Sequence, residues 1–223
     1  MRIIYKSSSF YLSKEDWTEL IMDSIRKIKA TRVGYLLMMN LEDDLNIVSQ
    51  SSYSSSFYHP KYSILDDKFE IVIPDTPYLT QVRVVNPNLE IDNFKDLEYY
   101  NLYQISQNNI VKKPTEFSGN ILKLTKWENQ PYCVMLFHEM VHYVRYKKGL
   151  RSEYLEEENT IYGSNRVLKI DDIIITENQF RKEIGLNPRI DHDGKFINVY
   201  NSNYNSNNNS ILPRLNLSDF IQY

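Results

Sequence analysis

Three features that are common in other proteins are scarce or missing in this 223-residue chain. Cys133 is the only cysteine, so no disulfide can form within the chain, and its apolar surroundings favour a buried thiol over a nucleophile. No segment approaches the ~18 consecutive apolar residues of a membrane span. Met1–Phe10 also lacks the long apolar core of a secretory signal peptide. We therefore expect no membrane partner, and secretion would need a route without a cleaved Sec signal.

A strong excess of charge is missing as well. The formal net charge is −3 and the pI is near 5.9, which argues against nucleic acid as a bulk electrostatic partner. Hydrophobic residues make up 42% of the chain, enough for a sizeable core. We expect one domain over residues 1–223, with the Asn/Ser-rich residues 200–211 forming a flexible segment. A monomer and a dimer are both compatible with this sequence.

Local patterns predict helices combined with short strands. Apolar residues recur at helical spacing after Ser13, a predicted helix cap, and again over residues 131–147. Gly149, which follows two lysines, is predicted to stop the second of these helices. Thr176 and Gly185 are predicted to bound a further helix, and a short one is expected near residues 154–162. Strands are predicted at residues 2–5, 33–39, 69–73, 81–85 and 121–125, with a loop at residues 49–56. Residues 69–73 and 81–85 are expected to share one sheet, and the whole order predicts an α+β fold.

The most informative segment is His138-Glu139-Met140-Val141-His142, the H-E-x-x-H pattern of zinc hydrolases. Positions four apart on a helix are separated by about 40° and one turn, so His138 and His142 can share one metal ion. Glu139 lies about 100° round from His138, within reach of a water on the metal but poorly placed as a ligand. The alternative interpretation is a pair of surface histidines on an amphipathic helix.

A third ligand is expected downstream of this helix. Glu156, Glu157 and Glu158 are consecutive, and a run of three carboxylates is more often a solvated helix face than a metal site. On a helix each side chain points about 100° from the next, so only one of the three can face the metal. Spacing alone does not choose among them.

Four segments, in this order, resemble the NleD-like effector metallopeptidases, a family of bacterial type III effectors. They are HEMVH (138–142), LEEENTIYG (155–163), TENQFRKEIGL (176–186) and PRIDH (188–192). The second and third are more specific than the first, because chance rarely supplies EExxT followed by ENxxRxExGx. A more distant similarity is to the clostridial neurotoxin light chains, which share an HExxH helix, a later EExxT and an Arg-x-x-Tyr.

The resemblance implies roles for single residues. The family's ligand glutamate lies three residues before a threonine, here Thr160, which selects Glu157 as the third zinc ligand and leaves Glu156 as runner-up. Glu177 matches an acid that can accept the outer N–H of a liganding histidine, although a helix acid stabilised by the dipole is an equal alternative. Arg181 is expected to brace the same element through a salt bridge.

Two further residues match the family's Arg-x-x-Tyr pattern in part. Arg189 occupies the arginine position of this pattern. In related peptidases that arginine stabilises the oxyanion that develops during attack on the carbonyl. His192 stands where tyrosine is expected, and a histidine can also donate a hydrogen bond or a proton. If the match of this segment to the Arg-x-x-Tyr pattern is shifted along the chain, His192 is instead a loop residue.

The resemblance implies a zincin-like metallopeptidase fold of the gluzincin type, with a small mixed sheet, the HExxH helix and Zn²⁺ as cofactor. The implied activity is that of an endopeptidase, a secreted effector that cuts host signalling proteins such as protein kinases in the host cytosol. Two alternatives stay open. One is a housekeeping metallopeptidase or amidase. The other is a catalytically weak, zinc-bearing binding protein, which the histidine at position 192 in place of tyrosine supports.

Overall fold

The structure is a computed structural model in which the described residues are 1–6, 12–50, 57–62, 67–75, 81–85, 125–152, 155–163 and 166–189. The predicted flexible segment at residues 200–211 lies outside these ranges. Among the helices within them, none is long and apolar enough to cross a membrane. Helices and small sheets are mixed along the chain, so the α+β class predicted from the sequence is confirmed.

Four strands form a mixed sheet. They are β1 (Arg2–Ile4), β2 (Leu45–Gln50), β3 (Phe57–Tyr62) and β4 (Asp67–Pro74). The order is β1-β2-β4-β3, in which β1, β2 and β4 are parallel and β3 is antiparallel to β4. Residues 69–73 of β4 are all buried, which is typical of an interior strand that is covered on both faces.

Helix α1 (Lys14–Lys29) packs its apolar side against the core. Trp17, Ile21 and Ile28 recur at helical spacing, and each is fully buried. The Ser13 hydroxyl accepts a hydrogen bond from the Asp16 backbone N–H at 3.0 Å, so the predicted cap is confirmed.

Residues 32–38 form a second helix, α2 (Arg32–Met38), and the strand predicted at residues 33–39 is wrong. The Thr31 hydroxyl accepts from the Gly34 N–H at 3.1 Å and caps the helix. Gly34 also lies so close to the preceding turn that a Cβ there would be 2.0 Å from the Ile28 carbonyl oxygen. A short apolar run fits a strand or a buried helix equally well by pattern alone, and here the cap and the close approach decide.

A second, two-stranded antiparallel sheet contains β5 (Gln81–Val85) and β6 (Thr125–Asn129). The expectation that residues 69–73 and 81–85 share one sheet is therefore wrong, because alternation along a strand does not encode its partner. The strand predicted at residues 121–125 reaches β6 only at Thr125, and residues 121–124 lie outside the described part. The loop predicted at residues 49–56 is wrong at its first two residues, which belong to β2.

Helix α3 (Tyr132–Lys147) is the central helix of the described residues. All of its residues from Cys133 to Arg145 are buried, and it packs against α1, α2 and β4. The helix ends at Gly149, whose φ is 66°, and the Leu150 N–H donates to the Arg145 carbonyl at 2.8 Å. This pattern is a Schellman ending, and it confirms the stop predicted at the glycine.

The described chain continues through short elements that cover one side of α3. They are α4 (Glu156–Ile161), β7 (Lys169–Ile170), β8 (Ile173–Ile174) and α5 (Glu177–Glu183). Thr176 caps α5 by accepting from the Gln179 N–H at 3.2 Å, and Gly185 ends it with a φ of 73°. Both boundaries of this helix are as predicted.

A stacked aromatic pair contributes to the contact between α3 and α5. Phe137 and Phe180 are fully buried and stacked, with ring centroids 4.3 Å apart. We expect Phe180→Ala to lower the free energy of unfolding by ~3–5 kcal/mol, because it removes a buried aromatic ring and leaves a cavity. Tyr35 is 55% exposed, so Tyr35→Ala is the control and should change stability by less than about 0.5 kcal/mol. Denaturant unfolding measures both, and equal losses would contradict this packing.

Candidate metal centre

Three side chains bring their ligand atoms together beside α3. His138 Nε2 is 3.0 Å from His142 Nε2 and 3.1 Å from one Glu157 carboxylate oxygen. The other Glu157 oxygen is 3.3 Å from His142 Nε2. Each residue offers one ligand atom, and these atoms all lie within 4.8 Å of one another. The three residues predicted as ligands therefore form a group that can hold a metal ion.

The spacing of these atoms fits a small divalent ion. Bonds of ~2.0–2.2 Å in a tetrahedral arrangement separate the ligand atoms by roughly 3.3–3.6 Å. Here the two Nε2 atoms are 3.0 Å apart, and each has a different Glu157 oxygen at 3.1 or 3.3 Å. One ligand atom from each residue lies within 4.8 Å of the others, so small side-chain shifts admit an ion. Two imidazole nitrogens and one carboxylate oxygen are also a donor set used by catalytic zinc sites, which keep a fourth position for water or substrate.

Local structure explains why Glu157 joins the histidines. The chain turns back after α3, which brings the first turn of α4 against the histidine face of α3. Successive acids on α4 point about 100° apart. Glu157 faces both Nε2 atoms, whereas Glu156 turns toward Arg145 at 2.9 Å. The geometry thus separates Glu157 from its runner-up, because Glu156 does not face the ligand nitrogens.

The outer nitrogen of His138 contacts a buried carboxylate. Nδ1 is 2.7 Å from Glu177 Oε2, and the Glu177 side chain is fully buried. Burial disfavours the charged imidazole, but hydrogen bonds with Glu157 and Glu177 outweigh it and raise the pKa of His138 to about 10. The carboxylates that favour a proton on this imidazole also favour a cation at the same place. Glu177 lies against the outer nitrogen of His138, where a carboxylate can hold the tautomer that leaves Nε2 to coordinate.

Two arginines support Glu177. Arg189 Nη1 donates to Glu177 Oε2 at 2.8 Å, and Arg181 Nε is 3.5 Å from Glu177 Oε1, which is the salt bridge predicted for Arg181. Burial alone would raise the pKa of Glu177, but Arg189 and His138 outweigh it and lower that pKa to about 2. In this arrangement Arg189 acts on His138 through Glu177. A direct contact of Arg189 with a substrate oxyanion stays a prediction.

Asn178 is a site residue that the sequence analysis missed. Its side-chain amide pairs with both backbone groups of Arg189, accepting from the N–H at 2.7 Å and donating to the carbonyl at 2.9 Å. This pairing fixes Arg189 beside α5, next to the Glu177 that precedes Asn178 in sequence. The available signal was its place within the ENxxR segment, directly after the predicted acid.

His142 has polar partners on its outer side too. Nδ1 is 3.3 Å from Glu156 Oε1 and 3.2 Å from the Thr160 hydroxyl oxygen. Burial disfavours the charged form, but hydrogen bonds with Glu156 and Glu157 raise the pKa of His142 above its ordinary value. Each histidine therefore meets a carboxylate at its Nδ1 atom and Glu157 at its Nε2 atom.

The remaining predicted residues are Glu139 and His192. Glu139 is 5% exposed and directly follows the ligand residue His138 on α3. Its role as a proton acceptor stays a prediction. His192 lies outside the described residues. Both interpretations of it, a catalytic histidine and a loop residue, therefore stay predictions.

Adjacent acids on α4 provide a matched test of the ligand set. Loss of a residue that hydrogen-bonds a metal ligand typically weakens metal binding about 10–100-fold. Glu157 is itself a ligand, so we expect Glu157→Gln to weaken zinc binding by more than that. Glu158→Gln removes the same charge one residue later and should raise the zinc dissociation constant far less, because the Glu158 side chain leaves α4 about 100° from that of Glu157. Competition with a chromogenic chelator measures both constants. An equal effect of the two substitutions would show that net charge, and not coordination, is responsible.

Three comparisons with known proteins found no relative of this chain. The chain matches no protein-family model, and neither the curated proteins nor the solved structures contain a match to it. The resemblance to effector metallopeptidases thus rests on the four sequence segments. The metal centre rests on its geometry.

Proposed function

We propose that this protein is a zinc-dependent endopeptidase with a zincin-like fold of the gluzincin type. The observation that carries the proposal is the convergence of His138, His142 and Glu157, whose facing atoms are 3.0–3.3 Å apart, on a helix that also presents Glu139. Of the divalent ions, zinc suits a set of two imidazoles and a carboxylate. When bound, zinc lowers the pKa of a coordinated water toward neutrality and polarises a carbonyl group.

Glu139 is assigned the proton transfers of peptide-bond hydrolysis. It accepts a proton from the attacking water and then donates it to the leaving amine. Glu139 is buried and directly follows the proposed ligand His138 on α3, which supports this role because it lies next to the metal site in the chain. Glu156 and Glu177 contact the outer nitrogens of the two histidines, which leaves both Nε2 atoms to hold the metal.

Arg189 is assigned a positioning role through Glu177, with which it makes a 2.8 Å ion pair. Stabilisation of the developing oxyanion is assigned to His192 and to any guanidinium nitrogen of Arg189 that reaches the substrate. The substrate is proposed to lie extended along a sheet edge. β4 is an interior strand, so β6, three residues before α3, is the better candidate for that edge.

The biological role is proposed from the four segments that resemble type III effector metallopeptidases. The protein is proposed to leave its cell without a cleaved Sec signal and to act in the host cytosol. Its substrates are proposed to be a small set of host signalling proteins, with protein kinases as the class that the resemblance favours. A peptidase with few targets needs neither nucleic acid nor membrane as a partner.

Sequencing of protein N-termini in a eukaryotic cytosolic extract tests the proposed function. One sample receives the purified protein and a second receives its Glu139→Gln variant. We expect a few new N-termini that appear only with the parent protein and disappear when a zinc chelator is added. Broad cleavage of unfolded peptides would favour a housekeeping peptidase. A zinc-loaded protein that captures a partner and cuts nothing would favour the binding protein.

A further inference from the structure

Arg145 is a fully buried charged residue that the proposed mechanism does not use. It lies in the last turn of α3, where a lysine or arginine ordinarily points to solvent and interacts with the helix dipole. Its side chain is instead 0% exposed. A buried guanidinium is costly unless its donors are paired, so its position needs a structural reason.

The donors of Arg145 are paired with one carboxylate and two backbone carbonyls. Nε and Nη2 donate to the two oxygens of Glu156 at 2.9 and 3.1 Å, a forked ion pair. Nη2 also donates to the Leu150 carbonyl at 2.9 Å, and Nη1 donates to the Arg166 carbonyl. Arg145 therefore ties α3 to the chain on both sides of α4.

Glu156 uses its carboxylate fully. Besides Arg145, it accepts from the Ser152 backbone N–H at 2.8 Å through Oε2, and its Oε1 is 3.3 Å from His142 Nδ1. A carboxylate has about four acceptor positions, and four contacts occupy them here. The fork with Arg145 and the bond from the Ser152 N–H thus hold the Glu156 carboxylate in one position behind His142.

We infer that Arg145 and Glu156 are positioning residues for the metal ligand His142. Arg145 holds the Glu156 carboxylate, and the carboxylate holds the Nδ1–H of His142, so that the Nε2 lone pair faces the Glu157 side. This inference rests on the proposed metal site. It extends to His142 what Glu177 and Arg189 do for His138, so each liganding histidine has its own carboxylate and each carboxylate its own arginine.

Thr160 is the competing partner of His142. Its hydroxyl oxygen is 3.2 Å from Nδ1, slightly closer than the Glu156 oxygen at 3.3 Å. A neutral hydroxyl fixes the tautomer but adds little basicity to the ring, whereas an anion does both. Loss of the Glu156 charge should therefore weaken metal binding more than loss of the Thr160 hydroxyl.

Metal binding by three variants tests the inference without any assay of cleavage. Glu156→Gln preserves shape and removes the charge, Arg145→Lys keeps the charge and removes the fork, and Thr160→Val removes only the neutral acceptor. We expect about a 10–100-fold higher zinc dissociation constant for Glu156→Gln. We expect a smaller rise for Arg145→Lys and the smallest for Thr160→Val. The visible absorption of bound Co²⁺ should shift for Glu156→Gln, because the donor strength of His142 changes, and not for the control Glu158→Gln.

The outcomes separate a positioning role from a purely structural one. If Glu156→Gln and Arg145→Lys lower only the thermal stability of the apoprotein, and leave the zinc constant and the Co²⁺ spectrum as in the parent, the inference is wrong and the metal site stands. If Glu156→Gln does not fold, Arg145→Lys and Thr160→Val decide by the same two measurements. A parent protein that binds neither metal overturns the proposed function itself.

Discussion

The Glu139→Gln variant is expected to bind zinc as the parent protein does and to lose peptide-bond cleavage. The amide has the size of the carboxylate but cannot accept the proton of the attacking water, and general acid–base catalysis of this kind is worth about 10²–10⁴-fold in rate. Glu139 is buried, so the swap of one oxygen for one nitrogen also preserves the packing of α3 better than alanine would. Rates come from the new N-termini formed in the extract, and zinc content comes from atomic absorption.

Glu19→Gln is the control for this variant. Glu19 is an exposed acid on α1, and its substitution removes the same charge without touching α3. It should leave both cleavage and zinc content unchanged. Full activity in the Glu139→Gln protein would contradict the role assigned to Glu139, and loss of zinc from that protein would mean that Glu139 belongs to the ligand set.

The second large effect is expected at the metal itself. His142→Ala should reduce the zinc content from about one ion per chain to a small fraction, because the remaining imidazole and carboxylate give only two ligands where structural and catalytic zinc sites use three or four. Activity should disappear with the zinc. Metal analysis after dialysis against a weak chelator measures the content, and circular dichroism establishes that the variant is folded.

Cys133 provides the control on the same helix. It is a buried thiol, 6% exposed, as the sequence predicted, and it is absent from the described group that can hold a metal. Thiolates are strong zinc ligands, so Cys133 is the residue that an alternative site on α3 would use. Cys133→Ala should keep about one zinc per chain. If this substitution removes zinc and His142→Ala does not, the site lies elsewhere on α3.

Local signals predicted the parts of the fold that local interactions determine. The caps at Ser13 and Thr176 and the stops at Gly149 and Gly185 are bonds or backbone angles within a few residues of each other, so the sequence shows them directly. The positions of His138 and His142 on one face follow from the helix repeat in the same way.

Two parts of the fold could not be predicted in this way. Residues 33–39 have an apolar run that fits a strand or a buried helix, and the Thr31 cap together with the close approach of Gly34 to Ile28 decides for the helix. The partner of β5 is β6, about forty residues later in the chain, and neither strand carries a signal that names the other. The sheet order β1-β2-β4-β3 also depends on strand pairings that the sequences of the strands do not specify.

The sequence likewise indicates some residues of the candidate site and not others. The motif indicates two ligands, whereas the choice of Glu157 over its neighbours came from resemblance and agrees with the position of Glu157 facing both histidines. The burial of Arg145 had no signal, because a basic residue in the last turn of a helix is ordinarily exposed. Its partner Glu156 appeared only as a runner-up ligand for the same reason.

The most direct test of the central claim is a zinc titration of the protein stripped of metal, with cleavage in the extract followed at each addition. The account predicts that the rate of formation of new N-termini rises in proportion to zinc and levels off at about one ion per chain. The Glu139→Gln variant should take up the same zinc and produce none of these termini. Cleavage that is independent of zinc, or zinc uptake to one ion per chain without cleavage in the parent protein, would contradict the claim that this chain is a zinc peptidase.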